Sequence, residues 1–247
     1  MIIDLHSQPV IDYQHTGGKA FNLHKLVAIG MPVPKAIVVP YIVDLTDPEN
    51  QQLILRHELF DDENMLYAVR SSAIGEDSEN NSYAGAYDTY LEVSRNDIIE
   101  SIGRVRESVS SQRSSEYSKQ RGGSEISDMN VIVQHMIPAD YAGVAFTMSP
   151  IEKDPRIMLI EIIPGNGEAL VSGKVTPTTI RYNKLTRMLR REQEGKTAID
   201  QQIVDIIFEQ LIPLLIQIEH HYTFPVDVEW AFHDNKVYIL QARPITT

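Results

Sequence analysis

Val226-Asp227-Val228-Glu229-Trp230-Ala231-Phe232, His233-Asp234-Asn235 and Lys236-Val237-Tyr238-Ile239-Leu240-Gln241-Ala242-Arg243 form the stretch on which the fold turns. Two runs rich in β-branched and aromatic residues flank a short polar turn, which predicts an antiparallel hairpin. Residues two apart in a strand point the same way, so Asp227 and Glu229 share a face, and so do Gln241 and Arg243. If the strands pair, two carboxylates, an amide oxygen and a guanidinium converge. Hard oxygen ligands suit Mg²⁺, which usually arrives on substrate phosphates, and the guanidinium can hold a phosphate beside it. The competing reading is a charged cross-strand pair on a solvated face.

Before this stretch, residues 200 to 221 read as a helix with a kink near Pro213. Residues 178 to 184 and 186 to 191 read as a second hairpin, and Gly165-Asn166-Gly167 as a turn or binding loop. Further strands are expected at 36–39, 65–69, 87–93, 130–136, 143–147 and 157–163. Helices are expected at 17–30, ended by Gly30 and Met31-Pro32-Val33-Pro34, and at 97–121, where Ile98, Ile102 and Val105 recur at helical spacing. Residues 44 to 64 read as a polar loop with one short helix, and 71 to 86 as a long loop. Strands and helices mix without a regular βαβ alternation, which predicts an α+β fold.

Three other stretches could carry chemistry. Gly17-Gly18-Lys19 opens a helix; glycines let backbone N–H groups approach phosphate oxygens, and the lysine adds a mobile cation. Tyr13 and Ala20 occupy positions where a Walker A loop needs Gly and Ser or Thr, so that motif is excluded. The bland alternative is a capping turn with a solvated lysine. Arg70 ends a strand beside a polar loop, which suits a phosphate, or equally an ion pair with Glu76 or Asp77. In Ser82-Tyr83-Ala84-Gly85-Ala86-Tyr87-Asp88-Thr89, Gly85 could let backbone approach a ligand and Thr89 offers a hydroxyl; a plain loop-to-strand junction is the alternative. The eight histidines are scattered and suggest no site.

The 247-residue chain carries a formal charge of −12, which argues against nonspecific nucleic-acid binding but not against a nucleotide. Having no cysteine, it has no disulfide scaffold, cysteine-ligated zinc or thiol nucleophile. The N-terminus lacks a signal-peptide pattern, and the most apolar stretch, 203 to 218, is too short and polar to span a bilayer. A cytoplasmic location and no membrane partner are therefore expected.

Taken in order, these segments resemble the N-terminal ATP-binding domain of phosphoenolpyruvate synthase, pyruvate phosphate dikinase and rifampin phosphotransferase. The resemblance rests on Gly17-Gly18-Lys19-Ala20-Phe21-Asn22-Leu23, Gly30-Met31-Pro32-Val33-Pro34, Ala68-Val69-Arg70-Ser71-Ser72-Ala73, Tyr83-Ala84-Gly85 and Thr89-Tyr90-Leu91. It continues through Val133-Gln134, 142–147, 167–173, Asp227-Val228-Glu229-Trp230 and Leu240-Gln241-Ala242-Arg243-Pro244. It implies an ATP-grasp fold of two lobes, 1–133 and 134–247, clamping the nucleotide. By that resemblance Lys19 and Arg70 would hold phosphates, and Gly85 and Thr89 would lie on the loop covering them. Gln134 would sit at the adenine end. Glu229 and Gln241 would bind Mg²⁺ with Asp227 beside them, and Arg243 would contact the transferred phosphates. Lys19, Arg70 and Arg243 are the catalytic candidates. The segment between Pro40 and Tyr67 is short for the family, and Thr178 stands where the family often has Asp. Nothing here resembles the family's phosphohistidine segment.

Three functions follow from this. One is an Mg·ATP-dependent phosphotransferase component acting on a histidine of a separate domain or protein. Another is a stand-alone ATP-grasp kinase or ligase with a small-molecule acceptor. The third is a non-catalytic ATP-binding regulatory subunit.

Overall fold

Short β-branched runs, broken by Gly, Pro and Asp-Asn turns, give two antiparallel sheets in a computed structural model of the chain. It describes residues 2–7, 10–74, 89–113, 129–171, 173–193 and 199–245. The chain divides into two compact units, Met1–Ala28 with Pro34–Met136, and Ile29–Val33 with Ile137–Thr247.

The first unit contains β1 (Ile3–Asp4), α1 (Tyr13–Thr16), α2 (Gly18–Ala28), β2 (Ala36–Val39), α3 (Pro48–Leu55), β3 (Tyr67–Ser72), β4 (Thr89–Val93), α4 (Ile98–Arg113) and β5 (Asn130–His135). Its sheet runs β1-β2-β5-β3-β4. Period-2 alternation divides the strands cleanly. Ile37, Val39, Tyr67, Val69, Val131 and Val133 are buried in one core cluster with Ile98, Ile102 and Val105 of α4, whose helical spacing the sequence displayed. Each such side chain contributes about 1.5–3 kcal/mol by leaving water. Ala68, Arg70, Ser72, Ile132 and Gln134 therefore lie on the opposite face. The 44–64 region holds α3, with Asp47 capping the Glu49 N–H and Pro48 at the first turn, and then a 3₁₀ turn at Glu58–Phe60. Leu59 and Phe60 of that turn join the core, so the segment is less loop-like than its polarity implied.

The second unit contains β6 (Tyr141–Phe146), β7 (Ile157–Pro164), α5 (Glu168–Val171), β8 (Thr178–Asn183), β9 (Met188–Gln193), α6 (Gln201–Ile206), α7 (Ile212–Tyr222), β10 (Val226–His233) and β11 (Lys236–Pro244). Its sheet order is β11-β10-β6-β7-β8-β9. Ala242, Val228, Ala145, Ile160 and Ile180 form one row of direct cross-strand partners, all buried. The segment Ile29–Val33 belongs with this sheet: the Ile239 N–H donates to the Pro32 carbonyl (3.0 Å), and the Gln217 side-chain amide donates to the Ile29 carbonyl (3.1 Å).

Near Pro213, where a kink is expected, the helix is interrupted by a π-turn at Ile207–Leu211, which joins α6 to α7. Pro213 has no N–H to return to the preceding turn, so the wider turn accommodates it at the start of α7. Ile203, Ile207, Leu211, Leu215 and Ile218 stay buried along this run.

Candidate functional site

The two units carry separate groups of candidate residues. In the first unit, α2 starts against the end of β3. Gly17 is the residue before the helix, with φ +78, and a Cβ there would stand 2.0 Å from the Ser72 carbonyl oxygen. Only glycine fits that contact and that backbone. The Gly18 N–H donates to the Ala73 carbonyl (3.0 Å) and the Ala20 N–H to the Ser72 hydroxyl (3.0 Å). These helix-start donors are therefore directed at the chain itself, not presented to a phosphate as the sequence reading allowed. Gly17 serves close packing, and the charge that Gly17-Gly18-Lys19 can offer a ligand is the Lys19 ammonium. Lys19 sits in the first turn and is 8% exposed, so it is not the solvated lysine of the bland alternative.

Arg70 is half-buried on the β3 face opposite the core. Its direct partner across β4 is Thr89, which is exposed, so arginine and hydroxyl stand side by side. Gln134, in β5 of the same unit, pairs with Ala68 on one side and Ala36 on the other. Gln134 is 1% exposed, and its amide nitrogen has no hydrogen-bond partner among the described residues. A buried amide donor left in that state favours a ligand that completes it. Gly85, Glu76 and Asp77 lie outside the described residues.

In the second unit the expected hairpin is present. Asp234 (φ +49) and Asn235 (φ +58) form its two-residue turn. Asp227 pairs directly with Arg243, and Glu229 with Gln241. The register shifts just after Glu229, where Trp230 pairs with Ile239 and Leu240 is left as the extra residue of a β-bulge. This bulge puts Gln241 and Arg243 on the face away from Val237 and Ile239, which are buried. Two-residue alternation alone would have grouped all four.

Arg243 Nε and a terminal guanidinium nitrogen both donate to Asp227 Oδ2, at 2.9 and 2.7 Å. Burial pushes the Asp227 carboxyl up from its ordinary range; Arg243 pulls it back, and the Glu229 charge pushes it up again. The cross-strand row Gln241, Glu229, Val144, Glu161 and Thr179 adds a residue that sequence reasoning passed over. Glu161 is half-buried, and burial followed by the charge of Asp227 pushes its carboxyl up. Its signal in the sequence is a lone acid in the apolar run Ile157 to Ile163. Asp227, Glu229 and Glu161 thus lie on one face of the sheet, with Arg243 bonded to the first of them.

Among the described residues, no group of three or more histidine or acidic side chains is placed to enclose a metal. The set at hand is sparser: the Glu229 carboxylate faces the Gln241 amide across one strand pair, with Asp227 engaged by Arg243. Such hard oxygens fit an Mg²⁺ that takes one or two carboxylates and completes its shell with phosphates and water. No helix among the described residues is long and apolar enough to cross a membrane.

These features coincide with a known family. Residues 51–247 match the family described as pyruvate phosphate dikinase, AMP/ATP-binding domain, and the chain belongs to it. It is 30% identical over its whole length to the prodigiosin synthesizing transferase PigC of Serratia marcescens, covering 33% of that protein. It is 36% identical to a probable phosphoenolpyruvate synthase of Archaeoglobus fulgidus, with 73% of this chain and 27% of that protein aligned. It is 34% identical to a rifampicin phosphotransferase of a Streptomyces species, over 75% of this chain and 24% of that protein. The chain thus spans about a quarter to a third of the length of these relatives. Among solved structures, a D-alanine–D-alanine ligase from Coxiella burnetii aligns over 91% of this chain and 46% of its own, at 12% identity and a TM-score of 0.45.

Proposed function

We propose that this chain is an ATP-grasp domain that binds Mg·ATP and donates a phosphoryl group, with a histidine on a separate domain or protein as acceptor. The observation that carries this reading is the pairing of Glu229 with Gln241 and of Asp227 with Arg243 in a chain of an AMP/ATP-binding family. Phosphoryl transfer asks little covalent chemistry of the protein. It needs the phosphates positioned and their developing charge neutralised.

In this reading the first unit supplies Lys19 and Arg70 to the phosphates, the Thr89 hydroxyl at the start of β4 beside Arg70, and Gln134 to the adenine. The second unit supplies Glu229 and Gln241 to Mg²⁺ and Arg243 to the transferred phosphoryl. Asp227 keeps the Arg243 guanidinium aimed and adds negative charge beside the metal. The metal would neutralise phosphate charge and offset the repulsion among Asp227, Glu229 and Glu161. The two units act as the lobes of the fold, and a cytoplasmic site of action accords with the need for ATP.

The test is product analysis. Incubation with Mg·ATP and candidate acceptors should yield AMP with dikinase-type chemistry, whereas ADP alone would favour a simple kinase or ligase. Glu229→Gln and Arg243→Ala should each abolish ATP consumption with the fold intact, and turnover retained in both would sink the site assignment.

A further inference from the structure

We propose that Ser72 is a positioning residue for Lys19, fastening the start of the helix that carries Lys19 to the end of the strand that carries Arg70. This rests on the reading of Lys19 and Arg70 as phosphate holders.

A helix normally begins at a residue whose side-chain oxygen accepts a backbone N–H from the first turn. Here that position is Gly17, whose carbonyl accepts the Phe21 N–H at 3.1 Å. Gly17 has no side chain to offer and could not carry one, because its Cβ would collide with the Ser72 backbone. Ser72 supplies the missing oxygen from a distant part of the sequence. Its hydroxyl accepts the Ala20 N–H at 3.0 Å and donates to the Thr16 carbonyl at 2.7 Å. One oxygen thereby closes both sides of the break between α1 and α2. The Gly18 N–H is anchored in turn to the Ala73 carbonyl.

The consequence falls on Lys19. It lies between Gly18 and Ala20, both bonded to consecutive residues of one strand end. Arg70 lies two residues before Ser72, on the same face of β3. The backbones of the two cations are thus fixed to each other through buried hydrogen bonds, with Ser72 fully buried. Cations held in place before the ligand arrives bind phosphate with less ordering cost, and small displacements are felt strongly. An alanine at 72 could neither accept from Ala20 nor donate to Thr16, and the start of α2 would be held to the strand end by the Gly18 N–H alone.

A double-mutant cycle on the full chain tests this, with Mg·ATP affinity read by calorimetry and folding by thermal melts. Ser72→Ala should weaken Mg·ATP binding about tenfold, and Lys19→Ala at least as much. In the Lys19→Ala background, Ser72→Ala should add less than about twofold, because its effect passes through Lys19. A purely structural cap would lower the melting temperature and leave affinity per folded molecule unchanged, which would overturn the proposal. So would a Ser72→Ala loss that persists undiminished without Lys19. If Lys19→Ala binds Mg·ATP as the parent does, the phosphate role of Lys19 fails first and this proposal with it. Should Ser72→Ala not fold, the same cycle with Ser72→Cys, near in size and weak in hydrogen bonding, gives the same discrimination.

Discussion

Arg243 grips a single oxygen of Asp227 with two of its nitrogens, at 2.9 and 2.7 Å, across the β10–β11 ladder. The pair is largely sheltered, with side-chain exposures of 24% and 10%. Arg243 only partly offsets the cost of burying Asp227, whose carboxyl stays above its ordinary range. The pair is therefore better explained as a device that aims the guanidinium than as a source of stability. Asp227→Asn keeps the shape but loses the charge-assisted bonds. It should leave stability at pH 7 unreduced in urea unfolding, because the folded state already disfavours the charged form, and lower ATP consumption about 10- to 100-fold. Arg243→Lys should do no better, because one ammonium cannot reproduce a two-nitrogen grip. Parent-like turnover in both variants would remove Arg243 from the transfer step.

Glu229 and Gln241 face each other directly, so changing Gln241 to Glu places like charges opposite one another. Without metal, Gln241→Glu should destabilise the chain by about 0.5–1 kcal/mol. Added Mg²⁺ should restore the melting temperature by more than it raises that of the parent, because binding to the folded state alone shifts the equilibrium. A variant whose melting point ignores Mg²⁺ would take the metal away from this pair.

Gly17 and Gly30 both have a positive φ, +78 and +77, but Gly17 combines it with ψ 171, a region open essentially to glycine alone, and their surroundings differ. A Cβ at Gly30 meets nothing within 4 Å, so Gly30→Ala bears only the left-handed strain, about 1–2 kcal/mol. Gly17→Ala adds collision with the Ser72 backbone and should cost more than about 4 kcal/mol. Chemical denaturation of the two variants side by side checks the difference. Equal losses would mean that the α2–β3 junction yields easily.

The hairpin was legible because both its strands and its Asp-Asn turn write their geometry locally. The core-facing side of α4 was legible too, since Ile98, Ile102 and Val105 keep their helical period. The bulge at Leu240 was not, because it arises from matching β11 to β10 and not from any residue that forbids regular pairing. Without it, Gln241 and Arg243 share the parity of the buried Val237 and Ile239. The capping of α2 by Ser72 was hidden for a similar reason: its two halves are 52 positions apart, and each looks ordinary alone. Glu161 was passed over because strand parity tells which residues share a face but not which face is buried. Gly17-Gly18-Lys19 was read by its chemistry, and the structure gives Gly17 to packing and the Gly18 N–H to a hydrogen bond against the end of β3.

The raised carboxyls give the second unit a pH signature in the absence of nucleotide and metal. Glu161 is pushed up by burial and by Asp227, so the folded chain holds its proton more tightly than the unfolded chain does. Stability then rises as pH falls from neutral through the raised folded value, and the gain is complete once pH is below the ordinary carboxylate value. Above the raised value the ionised group costs stability throughout. Glu161→Gln removes that ionisation. It should be more stable than the parent at pH 7, by on the order of 1 kcal/mol after screening by solvent, and the advantage should shrink as pH approaches 4. Urea unfolding of both proteins at pH 7, 5.5 and 4 measures it. A difference that is constant across the three, or that grows on acidification, would mean that Glu161 is not held above its ordinary range.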